Sequence, residues 1–435
     1  MANRQWRPSP LRRISPPAIV ALFLVVILWL GVSNDYPMGG LSASSFLGQP
    51  MSLEEELRVE ASRKKLDFSQ YVGLWTISGD EIAIDDPERR LIIVGDVHGM
   101  DNELGDLLKK VGYSSEHDRL VHLGDVTIKG PHSRRVLSRL ASQNVTGVRG
   151  NHDQKVIEWR GFIDYVKSQK GGREWFEELE AMDLTPKQFD KLSKKKKKYK
   201  IPDGWEWGSE HWNLARKLSE SEYNYLRSLP LAIHLPSLHT FVVHAGMLPY
   251  DPTHSMRNKK QPLSHLPTVS HASSQDVETV RAAQELTILN EVPQNRKPFT
   301  LLNLRDVTPK GKVSRKPGNG QPWADMWNEV QHLCKGFSSE LVDDNEPDEL
   351  KRKKYLPCYP TNVIYGHAAK RGLDLKRWTK GIDTGCVYGR RLTALVFGDT
   401  KHKGLDDSGD EEELEEVRFG DSSKARVVSV KCRAP

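Results

Sequence analysis

The sequence predicts an α/β protein: short buried strands with polar loops at their carboxyl ends, preceded by one N-terminal transmembrane helix. Three observations predict it. Five short apolar runs each end in a metal-binding residue type, in most cases beside a glycine. Two of those runs are followed by segments of helical periodicity, which gives successive strand–loop–helix units. An unbroken apolar run of 17 residues, Pro16 to Val32, stands near the start.

With 435 residues the chain has ample length for a large core. Apolar residues make up 37% and charged residues 28%, the balance of a soluble body carrying polar insertions. The formal net charge is +6, too modest to single out nucleic acid as a partner, but the basic residues cluster. Four cysteines are present with no Cys-x-x-Cys spacing, which argues against a structural zinc knuckle. One or two disulfides and buried free thiols are both compatible with that count, and no pairing can be read from it.

Residues 1–15 carry Arg4, Arg7, Arg12 and Arg13 and no acid, which predicts a cytosolic tail. Residues 16–32 follow as a transmembrane signal anchor, near the short limit for a span at about 1.5 Å per residue. The basic flank keeps the N-terminus cytosolic and sends the body across the membrane as a single-pass type II protein. A cleaved signal peptide is the competing reading. Residues 33–66 form a lumenal stalk and a charged linker helix from Leu53 to Leu66. The main domain spans 67–400, with an insertion at about 167–212, and an acidic tail with a final strand occupies 401–435.

Within the domain, Trp75-Thr76-Ile77 and Glu81 to Ile84 are predicted strands. Leu91-Ile92-Ile93-Val94 is a fully buried strand that breaks at Gly95 to present Asp96 and His98. Helical spacing follows from Asn102 to Val111. Leu120 to Leu123 runs into Gly124-Asp125, and a second helix covers Ser133 to Leu140. Two βα units in succession imply a parallel layer with helices packed on it. Val145 to Val148 leads into Gly150-Asn151-His152-Asp153. The insertion carries a five-lysine run, Lys194 to Lys198, and then Trp205, Trp207 and Trp212, which are expected as packing anchors. Phe241-Val242-Val243 delivers His244. His254, His265 and His271 are irregularly spaced among Pro and Ser and belong to a loop. Helices are predicted at Gln275–Leu289 and Trp323–Leu333, with a long Pro-, Gly- and Lys/Arg-rich connection at 293–322. Val363-Ile364-Tyr365 delivers Gly366-His367. A last strand covers Leu392 to Val396, after Gly381-Ile382-Asp383-Thr384-Gly385-Cys386, and an Asp/Glu-rich run fills 405–416.

The order GDVHG, GDVTIKG, GNHD, His, GH, spanning Gly95 to His367, resembles the calcineurin-like metallophosphoesterases of the phosphoprotein-phosphatase superfamily. Lys129, Pro131 and the Asp of GNHD resemble the ApaH-like branch more than the protein phosphatases, and the GIDTGC segment resembles that branch's closing motif. Within it, the combination with an N-terminal anchor and basic clusters is most similar to the vacuolar zinc-dependent endopolyphosphatases of fungi. The resemblance implies a β-sandwich flanked by helices and two divalent ions, with zinc expected; manganese, iron and magnesium also accept such nitrogen and oxygen donors. It implies that Asp96, His98 and Asp125 surround one ion and that Asp125 bridges to a second, held also by Asn151, His244 and His367. His152 matches the family's general acid. The carboxylate that partners this histidine in protein phosphatases is absent, because Ile128 occupies its position, and the adjacent acid Asp153 is the second catalytic candidate. Lys129 stands where protein phosphatases carry arginine, and Arg305 resembles a phosphate-contacting arginine.

The expected function is dimetal hydrolysis of phosphoanhydrides, most specifically endo-cleavage of inorganic polyphosphate, by an enzyme whose body lies in the vacuolar lumen. The alternatives keep the chemistry and change the substrate: a dinucleoside polyphosphate, a capped RNA, or a phosphoprotein. A metal- or polyanion-binding module without turnover is a further class. No stable nucleic-acid partner is expected.

Overall fold

The computed structural model describes residues 68–82, 86–182, 184–195, 201–202, 204–269, 276–337, 354–398, 415–421 and 423–435. The expected tail, anchor, stalk and linker helix lie outside these residues, as do Lys196 to Lys198, His271 and most of the acidic run. Among the described residues no helix is long and apolar enough to cross a membrane.

The first elements among the described residues are strand β1 (Val72–Thr76) and a single helical turn, α1 (Gly79–Ile82). The strand expected at Glu81–Ile84 begins instead inside this turn. Glu81 Oε1 accepts the Ser78 backbone N–H at 3.1 Å and its hydroxyl at 3.2 Å, a capping arrangement that starts a helix. The two predicted βα units follow: β2 (Arg90–Val94) with α2 (Asp101–Lys110), and β3 (Asp118–His122) with α3 (Ser133–Ser142). A short β4 (Thr146–Gly147) leads into the long α4 (Asn151–Ser168). The insertion then folds as α5 (Gly172–Ala181), α6 (Pro186–Lys195) and α7 (Glu210–Ala215), and α8 (Glu220–Ser228) returns the chain to the sheets.

The second half begins with the hairpin β5 (Pro230–Leu235) and β6 (Thr240–Val243), then α9 (Val277–Glu291) and α10 (Pro298–Asn303). A small three-stranded sheet follows, made of β7 (Asp306–Val307), β8 (Val313–Ser314) and β9 (Gln321–Pro322), and after it α11 (Trp323–Gln331). The last strands are β10 (Asn362–Tyr365), β11 (Asp374–Leu375), β12 (Thr379–Gly381), β13 (Arg391–Phe397), β14 (Glu415–Phe419) and β15 (Ser423–Lys431).

Two six-stranded sheets result, ordered β1-β5-β6-β10-β12-β11 and β14-β15-β13-β2-β3-β4. Leu91, Ile93, Val121 and Leu395 of one sheet pack against Ile233, Val242 and Ile364 of the other. Ile92, Val94 and Leu120 point the opposite way, into the layer of α2, α3 and α4. Phe241, Val243, Val363 and Tyr365 do the same on the far side, against α9, α10 and α11. Burial on both faces is why these strands read as continuous apolar runs rather than as alternating ones. The β-sandwich flanked by helices is therefore observed. The C-terminal hairpin belongs to it, since β15 pairs antiparallel with β13. The body does not end at 400, as the sequence suggested; the last strand completes its second sheet.

All four cysteines are paired, Cys334 with Cys358 and Cys386 with Cys432. The insertion's tryptophans are packing anchors. Trp207 stacks on Phe189 at 4.3 Å and tilts against Trp212 at 4.4 Å, and Trp205 meets Trp159 at 4.7 Å.

Candidate metal centre

Six of the expected side chains converge at the carboxyl ends of the central strands. Donor atoms of Asp96, His98 and Asp125 lie within 4.8 Å of one another, and so do those of Asp125, His244 and His367. Asp125 is common to both groups. Asp125 Oδ2 stands 3.6 Å from His98 Nε2 and 3.5 Å from His244 Nε2, midway between two donor sets. Asn151 joins the second set, with Oδ1 3.1 Å from His244 Nε2.

The backbone delivers these groups at some cost. His98, Asp125 and His367 have φ of 47°, 46° and 64°, in the left-handed region, as do Ile128 and Lys129. Each such residue costs on the order of 1–3 kcal/mol and persists because its surroundings hold it. His98 N–H donates to Asp125 O at 2.7 Å and Gly130 N–H to His98 O at 2.9 Å, so the first two motif loops are laced together. His152 N–H, at the start of α4, donates to Asp125 Oδ1 at 2.8 Å. The helix N-terminus thus holds the shared carboxylate. Arg149 is fully buried and donates to the carbonyls of Leu229, Ser69 and Gln70, which fixes the Gly150-Asn151 turn against β5.

Hydrogen bonds set the imidazole tautomers. His98 Nδ1–H donates to Thr127 O at 3.2 Å, and His244 Nδ1–H to Leu123 O at 2.8 Å. Each ring therefore turns Nε2 toward Asp125. For His244, Nε2 also lies 3.1 Å from the Asn151 side-chain oxygen. His367 Nε2 is buried with no partner. His98 Nε2 accepts from Lys129 Nζ at 2.9 Å, so this one lone pair serves either the ammonium or an ion.

Charge makes the same demand. Burial raises the Asp96 carboxyl well above its usual range, and the nearby charges of Asp383 and Asp125 raise it further. Asp383 is raised by burial and by Asp125. Burial lowers His98 to about 4, and His367 is pushed well below its usual value, so both rings are neutral at pH 7. Buried carboxylates crowding one another and neutral imidazoles with inward lone pairs fit divalent cations.

The centre opens into a cleft of about 810 Å³, lined also by Lys129, His152, Arg305, Arg315, Lys370, Asp383, Tyr388 and Arg390. Lys129 and Arg305 are thus among the residues lining the cleft. Asp153 is not. It is fully buried, taking the Thr127 hydroxyl at 2.7 Å and N–H at 3.2 Å on Oδ1, and the Gly150 N–H at 3.0 Å on Oδ2. We therefore correct its expected catalytic role: Asp153 ties the Asp125 loop to α4 and does not line the cleft. His152 instead meets His211, with Nδ1 2.9 Å from His211 Nε2. His211, Asp383, Arg315, Lys370, Tyr388 and Arg390 were not singled out as site residues from the sequence. Asp383 carried a usable signal, because it too follows a buried strand end, Thr379–Gly381 and Ile382. His254 and His265 lie outside the cleft lining, as expected of loop residues.

Residues 89–270 match the calcineurin-like phosphoesterase family. The chain is 24% identical over 326 residues to a symmetrical bis(5'-nucleosyl)-tetraphosphatase of Coxiella burnetii, covering 71% of this chain and 88% of that protein. It is 26% identical over 324 residues to the zinc-dependent endopolyphosphatase of Saccharomyces cerevisiae, covering 72% and 77% respectively. A shorter match, 33% over 93 residues, links 21% of this chain to 43% of serine/threonine-protein phosphatase 1 of Salmonella typhimurium.

Proposed function

Because the chain carries a calcineurin-like metallophosphoesterase domain and is on that ground a metal-dependent phosphoesterase, we propose that it hydrolyses phosphoanhydrides and that its substrate is inorganic polyphosphate, cut within the chain. One observation carries the substrate reading. Five cationic side chains, Lys129, Arg305, Arg315, Lys370 and Arg390, line the cleft beside the donor cluster. None of them forms a salt bridge with a carboxylate among the described residues. Unpaired cations around one opening suit a ligand with a negative charge on every repeat.

Asp96, His98 and Asp125 would hold one divalent ion, and Asp125, Asn151, His244 and His367 the other. When bound, such a pair supplies Lewis acidity toward the phosphoryl oxygens and lowers the pKa of an attacking water. Lys129 and Arg305 face the phosphoryl oxygens as they gain charge. His152 gives a proton from Nε2 to the departing oxygen. A phosphate leaving group needs little such help, which fits a histidine without a carboxylate partner. Zinc is the proposed metal, supported by the name of the yeast relative and by the mixed nitrogen and oxygen donors.

The proposal extends to location. The apolar run at 16–32 with its basic flank supports a type II signal anchor, and two disulfides support an oxidising lumen for the body. The vacuole follows from the resemblance to the fungal enzymes.

A second reading has its own observation. Tyr388 lines the cleft and is 56% exposed, an aromatic face on which a base could stack. This favours a dinucleoside polyphosphate. The experiment incubates the full chain with long-chain polyphosphate and separately with diadenosine tetraphosphate, each with zinc, manganese or magnesium. Intermediate chain lengths on a gel with little free phosphate support the endopolyphosphatase. Release of single phosphates alone overturns the endo assignment, and turnover of the dinucleotide with intact polymer overturns the polyphosphate reading.

A further inference from the structure

We propose that His211, delivered by the insertion, is a positioning residue for His152 and sets how well the enzyme expels poor leaving groups. This rests on the reading that His152 is the leaving-group acid. The two rings lie within 7° of parallel with centroids 5.1 Å apart, and His152 Nδ1 is 2.9 Å from His211 Nε2. They meet edge to edge, so the hydrogen bond lies near both ring planes and fixes the rotation of the His152 ring. With Nδ1 engaged, Nε2 is the nitrogen left for the cleft that His152 lines.

His152 has no carboxylate doing this work. Ile128 is buried where protein phosphatases place their acid, and the Asp153 oxygens are occupied by Thr127, Val126 and Gly150. The His211 side of the pair is firmly built. Ser209 Oγ caps α7 through the Trp212 N–H at 3.4 Å. Trp212, next in the chain, is buried between Phe176 and Trp207. Glu210, just before, accepts the Lys129 backbone N–H at 3.1 Å. One short helix therefore clasps both the proposed acid and the loop that bears the phosphate-facing lysine.

In the step itself, the bond from phosphorus to the leaving oxygen breaks as water's oxygen bonds to phosphorus, and the proton this water sheds passes to solvent. The Nε2 proton of His152 moves to the leaving oxygen. The reacting ring carries both protons, a minority state because burial lowers His152 to about 3; it keeps the Nδ1 proton on the lone pair of His211 Nε2 and is reprotonated from solvent, while His211 exchanges no proton. An imidazole acceptor aims the ring as a carboxylate would but adds no negative charge. The assistance is directional and modest, matched to a phosphate leaving group rather than to an alkoxide.

The test uses the full chain with its metals, variants His211→Leu, His211→Gln and His152→Ala, and aryl phosphates from dinitrophenyl to phenyl. The glutamine places an acceptor oxygen near the position of Nε2. His211→Leu is expected to lose about 10–100-fold in kcat on phenyl phosphate and less than about 3-fold on dinitrophenyl phosphate. His211→Gln should recover most of that loss, with bound metal equal to the parent in both variants. Equal losses on all aryl phosphates, or no recovery by glutamine, would overturn the proposal. The reference variant separates the two layers: a steep leaving-group dependence in His152→Ala with a flat one in His211→Leu removes only the positioning role. A flat profile in His152→Ala removes the acid assignment beneath it.

Discussion

Gly150→Ala tests the shared carboxylate without deleting a single donor atom. The Gly150 backbone, at φ −89° and ψ 167°, is one that alanine adopts freely. Any effect is therefore steric. The added Cβ would stand 2.1 Å from Asp125 N, 2.2 Å from Asp125 Oδ1 and 2.7 Å from Asp125 Cα. Comfortable separation for such atoms is roughly 3.5 Å. Either the Asp125 loop or the start of α4 must move by about 1 Å or more, and Arg149 anchors the second of these. Overpacking of this kind costs about 1–3 kcal/mol of stability. A displacement of that size at a reacting centre costs about 100-fold in turnover. The assay combines thermal melting, metal content after dialysis and kcat on the preferred substrate. Gly105→Ala on α2 is the control, since its Cβ would meet only Arg139 Nη2 at 3.9 Å; it should stabilise by up to about 1 kcal/mol. Turnover within a few-fold of the parent in Gly150→Ala, with a full complement of metal, would refute Asp125 as the shared ligand.

Two other perturbations probe the frame. Glu285 is buried and accepts from His234 Nε2 at 2.6 Å and His239 Nδ1 at 3.0 Å. Burial pushes its carboxyl up, but these hydrogen bonds prevail and hold it below the ordinary 4.5. The folded value lies under the unfolded one, so its stabilisation is complete above pH 4.5 and is lost as pH falls below that. Glu285→Gln should cost about 1.5–3 kcal/mol at pH 7 and flatten the acid limb of the stability curve; an unchanged acid limb in urea titrations would refute this. The double variant Cys386→Ser/Cys432→Ser opens a loop of sequence separation 46, worth up to about 4 kcal/mol by loop entropy, and frees the segment carrying Asp383, Tyr388 and Arg390. It should lower the melting temperature and raise KM together, and a stability loss under about 1 kcal/mol would show that this bond does not restrain the loop.

The donor cluster was legible because each donor closes a strand, and a buried strand is visible as an apolar run. Position in the chain then translates directly into position in space. The same logic failed for Asp153. It neighbours His152 in sequence, but successive residues on a helix point about 100° apart. The N–H of His152 faces Asp125 and its ring faces the cleft, while Asp153 turns under the helix toward Thr127. Arg315, Lys370 and Arg390 escaped for another reason. They sit on loops at residues 315, 370 and 390, and no local pattern says which loops border one cleft. His211 is the extreme case. It belongs to a segment whose sequence announces only lysines and tryptophans, and its role depends on how α7 packs along α4.

The architecture explains why the chemistry tolerates so strained a frame. His98, Asp125 and His367 are all held at positive φ, and Asp96 and Asp383 are buried, which raises their carboxyls, with the nearby Asp125 charge raising both further. Each of these features is unfavourable alone. They are affordable because the sandwich supplies them from separate strands already fixed by the inter-sheet core of Leu91, Ile93, Ile233, Val242, Ile364 and Leu395. These core residues set the spacing of the strand ends. Divalent ions held there would relieve the crowding of carboxylates that the frame imposes. Among the described residues the five cleft cations form no salt bridge with a carboxylate, and these charges are what an anionic chain would meet first.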